Sequence, residues 1–194
     1  LNSNLIIVVN DNQMSIAENH GGIYKNLSEL RESDGQAENN LFKAMGYQYY
    51  FIKNGNDMKT LIDVFKKVKD TNCPVVVHIC TVKGKGCAFA EADGERFHWV
   101  RPFDLKTGSE KKPFLGERYD RIVRDYLMDK MKKDSKIITI LAAVPDALSF
   151  SPDKRKLVGK QLIDVGIAEE HAIALAAGIA RGGGKPVFAT LSTF

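Results

Sequence analysis

Apolar residues follow two rhythms along this chain. Continuous runs rich in β-branched side chains read as strands: residues 4–9 around Leu5-Ile6-Ile7-Val8-Val9, Tyr49-Tyr50-Phe51-Ile52, Pro74-Val75-Val76-Val77-His78-Ile79-Cys80-Thr81-Val82, Ile137-Ile138-Thr139-Ile140-Leu141 and residues 186–191. The runs at 5–9 and 74–82 have the unbroken apolar character of strands buried in a parallel sheet. Between them apolar residues recur at the helical period. Met58, Leu61, Ile62, Phe65 and Val68 fall on one helix face, and Tyr119, Ile122, Val123, Tyr126, Leu127 and Met131 on another. Residues 168–181 predict an alanine-rich helix whose small side chains permit close packing. Gln36 to Met45 predicts a helix stopped by Gly46, a residue suited to a left-handed C-terminal cap. Asn56 is the expected N-cap of the helix over 58–68. Residues 11–35 read as irregular, with short helical turns broken at Gly21-Gly22.

Strands alternating with helices over short connections predict parallel βαβ units, hence an α/β protein with parallel sheets flanked by helices. A polar stretch at 101–116, carrying Pro102, Gly108, Pro113 and Gly116, reads as a linker. It divides the chain into two successive α/β domains, residues 1–100 and 117–194.

Composition narrows the picture by exclusion. The chain has 194 residues, 44% hydrophobic and 27% charged, with a net charge of +4, ordinary values for a soluble globular protein. Lys130, Lys132 and Lys133 form the densest basic patch, on a helical pattern where a solvated face explains them. No interleaving of aromatic and basic residues suggests a nucleic-acid partner. Cys73, Cys80 and Cys87 are odd in number and lack Cys-x-x-Cys spacing, which predicts a reducing cytoplasm rather than disulfides or a zinc site. No apolar run approaches the roughly 20 residues of a membrane span, so no membrane partner is expected. The chain starts without methionine directly before one strand and stops just after another, which predicts a fragment.

Two segments carry candidate chemistry. Asn10-Asp11-Asn12-Gln13-Met14-Ser15-Ile16 stands at the carboxyl end of the first strand, where open α/β sheets bind ligands. Carboxamide and backbone oxygens are donors that a hard cation such as Mg²⁺ accepts. The plainer reading is an Asn/Asp-rich turn. The second segment, Asp164-Val165-Gly166-Ile167-Ala168-Glu169-Glu170-His171, places acidic residues at a helix start, which the helix dipole alone would favour.

Together these segments resemble the 1-deoxy-D-xylulose-5-phosphate synthase family. Residues 10–19 are similar to the end of that family's thiamine-diphosphate motif, and Val165-Gly166-Ile167-Ala168-Glu169-Glu170-His171-Ala172 to its pyrimidine-domain glutamate motif. Lys83 to Gly86, Ala90-Glu91, Phe97-His98 and Phe103-Asp104 fall between them in the family's order and spacing. Ala176-Ala177-Gly178, Gly182-Gly183, Lys185-Pro186 and Ser192-Thr193-Phe194 follow. The resemblance covers essentially the whole chain but only the middle of a family protein. It implies a thiamine-diphosphate-binding fold, with residues 1–100 ending a diphosphate-binding domain and 117–194 beginning a pyrimidine-binding domain.

The resemblance also assigns roles. The Asn12 side chain and the Met14 carbonyl would bind Mg²⁺, with a third ligand from a Gly-Asp-Gly upstream of Leu1. Ile16 would wedge the cofactor into its bent shape, and Phe194 would stack on the pyrimidine. Lys83 would lie near the cofactor and substrate phosphate, and Cys87 stands at a cofactor-touching position. Glu169 would bond N1′ of the pyrimidine in general acid–base work, and His98 would stabilise or protonate an intermediate. The implied protein is a homodimer that decarboxylates pyruvate and joins the remainder to D-glyceraldehyde 3-phosphate, feeding isoprenoid and thiamine synthesis. A transketolase moving a two-carbon ketol unit shares the cofactor and fold, and a catalytically incomplete subunit is the third reading. Departures are visible: Cys87 and Leu191 stand where tyrosines are usual, His20 replaces a small apolar residue, and a long segment between the regions of Leu27 and Leu41 is nearly absent. They bear on acceptor preference.

Overall fold

The computed structural model describes residues 3–112 and 114–191. It divides into two compact units. The first comprises the chain up to Met14 and from Glu18 to Val100; the second takes Ser15–Ala17 and the chain from Arg101 onward. Each unit is an α/β layer around one three-stranded parallel sheet.

In the first unit the elements run β1 (Ile6–Asp11), α1 (Gly22–Glu32), α2 (Leu41–Ala44), β2 (Gln48–Ile52), α3 (Met58–Val68), β3 (Val75–Cys80) and α4 (Ala88–Ala92). Strand order is β1-β3-β2, so the chain crosses to the far edge before β3 fills the centre. Val75, Val76, Val77 and His78 are fully buried, as the unbroken apolar run predicts for a central strand. β1 differs. It is an edge strand in this sheet, with Val8 48% exposed, because among the described residues only β3 pairs with it.

The pleat sorts the side chains into two layers. Val75, Val77 and Ile79 meet Val64 and Val68 of α3, with Ile52, Leu61, Tyr50 and Ile6 around them. Alternate residues point the other way, so the register that pairs Asp11 with Cys80 and Phe51 with His78 puts all four on the opposite face. Three rings surround His78 there, those of Phe42, Tyr49 and Phe51.

Several local expectations give way. Residues 22–32 form a regular helix, and the helix expected from Gln36 to Met45 shrinks to Leu41–Ala44. Left-handed backbone at Asp34 and Gly35 breaks the chain instead, and Asn40 caps the short helix by accepting from Lys43 N–H at 3.1 Å. Gly35 is required: a Cβ there would stand 2.5 Å from the Phe51 Cβ. The N-cap of α3 is Asp57, whose carboxylate accepts from Thr60 N–H at 2.9 Å. Asn56 instead accepts from Val82 N–H at 2.8 Å. The buried stripe of α3 is Val64 and Val68 with Leu61 beside them, while Met58, Ile62 and Phe65 face outward on the neighbouring stripe.

The second unit runs α5 (Tyr119–Lys133), β4 (Ile137–Leu141), α6 (Pro152–Val158), β5 (Leu162–Asp164), α7 (Glu169–Arg181) and β6 (Lys185–Phe188), with strand order β5-β4-β6. Leu127, Met128 and Met131 of α5 pack on Leu141, Leu148 and Phe150. The other apolar residues of α5 are on the surface, Tyr119 and Tyr126 at 76% and 61% exposed, because one short sheet covers only the end of the helix. Residues 101–112 form no helix or strand but a turn closed by an isolated bridge between Phe103 and Glu110, in which the Asp104 carboxylate accepts from Lys106 and Thr107 N–H.

Candidate functional site

The carboxyl ends of β1 and β3 lie side by side, tied by Thr81 N–H to the Asp11 carbonyl at 3.0 Å and by the Thr81 hydroxyl to Asn10 Oδ1 at 2.6 Å. Neighbouring parallel strands whose connections leave in different directions open a crevice at that end of a sheet. Here it is an open cleft of about 680 Å³. The loop after β1, one face of α1 along its length and the segment 81–94 line it, including Asn12, Met14, Glu18, Lys25, Arg31 and Lys83.

The loop after β1 is tightly specified. Asp11 Oδ1 accepts from Gln13 N–H at 3.1 Å, and Asn12 Oδ1 accepts from Met14 N–H at 3.0 Å. Between them Gln13 adopts φ +68°, a conformation that non-glycine residues adopt sparingly. Met14 then pairs with Glu18 in an isolated antiparallel bridge. From the other side Gly94 closes in, where an added Cβ would stand 3.1 Å from Met14 Sδ and 3.4 Å from Lys83 Cδ. Lys83 is half-buried, and desolvation lowers its pKa while Glu95 opposes the shift.

Beneath the loop sits a buried polar chain. Asp11 Oδ2 bonds His78 Nε2 at 2.9 Å and receives the Arg31 guanidinium, and His78 Nδ1 bonds the Tyr49 hydroxyl at 2.6 Å. Burial pushes the Asp11 carboxyl up, but the bonds from His78, Arg31 and Gln13 N–H outweigh it and hold the group below its ordinary range. Burial, with Cys80 and Asp11 adding to it, pushes the Tyr49 phenol well above its ordinary value, and burial takes the Cys80 thiol up to about 11. Asp11, His78 and Cys80 have ligand atoms within 4.8 Å of one another. Within this set the Asp11 carboxylate is already taken up by Arg31 and His78.

Three of the residues singled out in the sequence, Asn12, Met14 and Lys83, line this one cleft. Ile16, half-buried just past Met14, and Cys87, half-buried as the N-cap of α4, do not line it. His98 is exposed at the end of a short 3-10 turn, Arg96–His98; what cover it has, and Lys83, lower its pKa. Glu169 is the first residue of α7 in the second unit, half-buried, with Glu170 beside it. Phe194 lies outside the described residues. Sequence reading gave Asp11 only a turn-forming part and passed over His78, Arg31 and Tyr49. The signal for His78 was present: an imidazole inside a run of valines must find a buried partner.

Comparison with known proteins gives these features a family. The chain is 35% identical over 226 aligned positions to a 1-deoxy-D-xylulose-5-phosphate synthase of Clostridium perfringens, with 98% of this chain covered. It is 36% identical over 225 positions to that of Clostridium beijerinckii, and 34% over 232 to 1-deoxy-D-xylulose-5-phosphate synthase 1 of Geobacter sulfurreducens. A family model described as 1-deoxy-D-xylulose-5-phosphate synthase matches residues 1–38 and 33–81. The chain belongs to the 1-deoxy-D-xylulose-5-phosphate synthase family. It spans about 36% of the length of each of these relatives. The alignments exceed the chain's 194 residues, so the relatives carry residues that this member of the family lacks. The two matched stretches of the family model meet at residues 33–38, the tight turn built on Asp34 and Gly35. Among the described residues no helix is long and apolar enough to cross a membrane.

Proposed function

We propose that this chain forms part of a 1-deoxy-D-xylulose-5-phosphate synthase in which the cleft after β1 and β3 holds the diphosphate end of thiamine diphosphate through Mg²⁺. One observation carries the reading: Asn12 and Met14 line one cleft with Lys83, a residue far from them in sequence, at the carboxyl ends of two parallel strands. The donor set fits the group. Asn12 Oδ1 accepts one N–H and keeps a lone pair, and the Met14 carbonyl adds a second hard oxygen of the kind Mg²⁺ accepts. Lys25 and Lys83 on the cleft wall supply positive charge for a diphosphate. On this reading residues 1–100 belong to a diphosphate-binding domain, 101–116 link, and 117–194 belong to a pyrimidine-binding domain.

Thiamine diphosphate, when bound, supplies the electron sink that lets pyruvate lose CO₂ and its remainder join D-glyceraldehyde 3-phosphate. The chain's own residues bind, orient and move protons. Asn12 and Met14 fix the cation, and Lys83 offsets phosphate charge. Glu169 shares a proton with the pyrimidine N1′, from a helix start where a carboxylate is favoured by the dipole. His98 handles a proton near the reacting carbons, with Ile16, Cys87 and Phe194 shaping the cofactor pocket. The protein works as a homodimer in the cytoplasm, where its three free cysteines stay reduced.

The test is release of labelled CO₂ from carboxyl-labelled pyruvate by the full chain, with D-glyceraldehyde 3-phosphate and Mg²⁺ present. Release is expected in the wild type and at most about a tenth of it in Asn12→Leu, since losing even an outer partner of a metal ligand typically costs about 10–100-fold. Ketol transfer between sugar phosphates without CO₂ would mark a transketolase. Absence of Mg²⁺-dependent thiamine diphosphate binding would mark an incomplete site.

A further inference from the structure

We infer that Asp11 is a positioning residue for the Asn12–Met14 loop, and that His78, with Tyr49 behind it, holds Asp11 in place. The inference rests on the reading of Asn12 and Met14 as cation ligands. An aspartate that merely starts a turn sits at the surface, where water solvates it. Asp11 is 6% exposed and His78 is fully buried. Both lie on the face of the sheet away from α3, an arrangement that follows from the pairing of Asp11 with Cys80 across β1 and β3.

The bonds have a direction. Asp11 accepts from the Arg31 guanidinium through Oδ2 and from Gln13 N–H through Oδ1, so both of its oxygens act as acceptors. His78 Nε2 must therefore be the donor to Oδ2, and the protonated Tyr49 hydroxyl donates to Nδ1. Arg31, from the last turn of α1, adds its guanidinium to the same carboxylate oxygen. All of this fixes the Oδ2 side, leaving Oδ1 to accept from Gln13 N–H at 3.1 Å. Gln13 is the residue held at φ +68° between the two ligands. The orientation of the Met14 carbonyl and the Asn12 carboxamide is thus set by a carboxylate whose own orientation is set from beneath, as outer partners orient the ligands of metal sites.

The experiment follows Mn²⁺ binding to the full chain with thiamine diphosphate present, by the electron paramagnetic resonance signal of free Mn²⁺. Thermal unfolding without metal is recorded alongside. His78→Leu is expected to raise the half-saturating Mn²⁺ concentration about tenfold. His78→Gln, whose amide can still donate to Asp11, is expected to recover most of that loss. A purely structural role would lower the unfolding temperature in both variants and leave the half-saturating concentration unmoved. If His78→Leu does not fold, Tyr49→Phe is read instead, with an expected rise of about threefold, the lesser cost of losing one neutral hydrogen bond. Asn12→Leu separates the two readings. Wild-type binding in His78→Leu (or, failing that variant, in Tyr49→Phe) beside lost binding in Asn12→Leu overturns the positioning role alone. Wild-type binding in Asn12→Leu brings down the site reading and this inference with it.

Discussion

The strand ends of the two units are tied together by opposite means. In the first unit the carboxyl ends of β1 and β3 are backed by four side chains linked in a chain, Arg31 to Asp11, Asp11 to His78 and His78 to Tyr49. In the second, the ends of β4 and β5 share a single carboxylate. Asp164 Oδ1 accepts from Ala143 N–H at 2.8 Å and from Gly166 N–H at 2.9 Å. Beside it the core is apolar, centred on Leu141, Leu148 and Phe150. One carboxylate bonded to two backbone amides is enough to join two loops. Burying a carboxylate against a histidine costs desolvation that apolar packing would avoid, and here that carboxylate also carries the bond to Gln13 N–H. The difference marks the first strand ends as the more exactingly positioned of the two.

Removing Asp11 should break the contrast most violently. Asp11→Leu leaves the buried His78 imidazole and the half-buried Arg31 guanidinium without their carboxylate and is expected to cost about 3–5 kcal/mol. Hydrogen exchange at the β3 amides should report that loss in full, and at the β4 amides little of it; equal losses in both would mean that the units unfold as one. Asp164→Ala should be milder. It leaves two amides without their acceptor, at about 1–3 kcal/mol, read at the amides of Ala143 and Gly166 and through the unfolding temperature.

Acid sharpens the comparison with a smaller effect. Asp11 and, in the second unit, Asp120 both have carboxyls held below the ordinary value, Asp120 chiefly by its bonds from Arg118 and Ser149. A carboxyl whose pKa falls on folding contributes stability that is complete above the unfolded-state value, near about 4, and lost as pH falls through the folded value. Asp11→Asn should flatten the acid loss measured at β3 below that pH, and Asp120→Asn the loss measured at β4. An Asp11→Asn variant whose β3 amides lose protection in acid as steeply as the wild type would show that another group governs it.

Much of this was legible in the sequence, and the failures have physical causes. Five strands showed because apolar β-branched runs have few other uses, while β5, only Leu162–Asp164, is too short to make such a run. Helix α1 did not, since it buries only Asn26, Leu27 and Leu30 and offers little apolar periodicity. The exposed flanks of α3 and α5 carry apolar residues that a pattern reader assigns to the core, although each sheet covers only one stripe. Asn12, Met14 and Lys83 were singled out through the family resemblance of the short motifs that carry them, and the fold brings all three to one cleft. The bonds between Asp11, His78 and Arg31 needed strand order and register, which no single segment encodes.

The bond between Asp11 and His78 spans 67 positions of sequence. Its closure must wait for β2, α3 and β3, because β3 enters the sheet last and between strands already made. Non-local pairings of this kind are the slow steps of folding. On a ribosome the loop after β1 therefore emerges early but is shaped late, and a cation captured there would act as a clasp on the final strand rather than as a seed for the first.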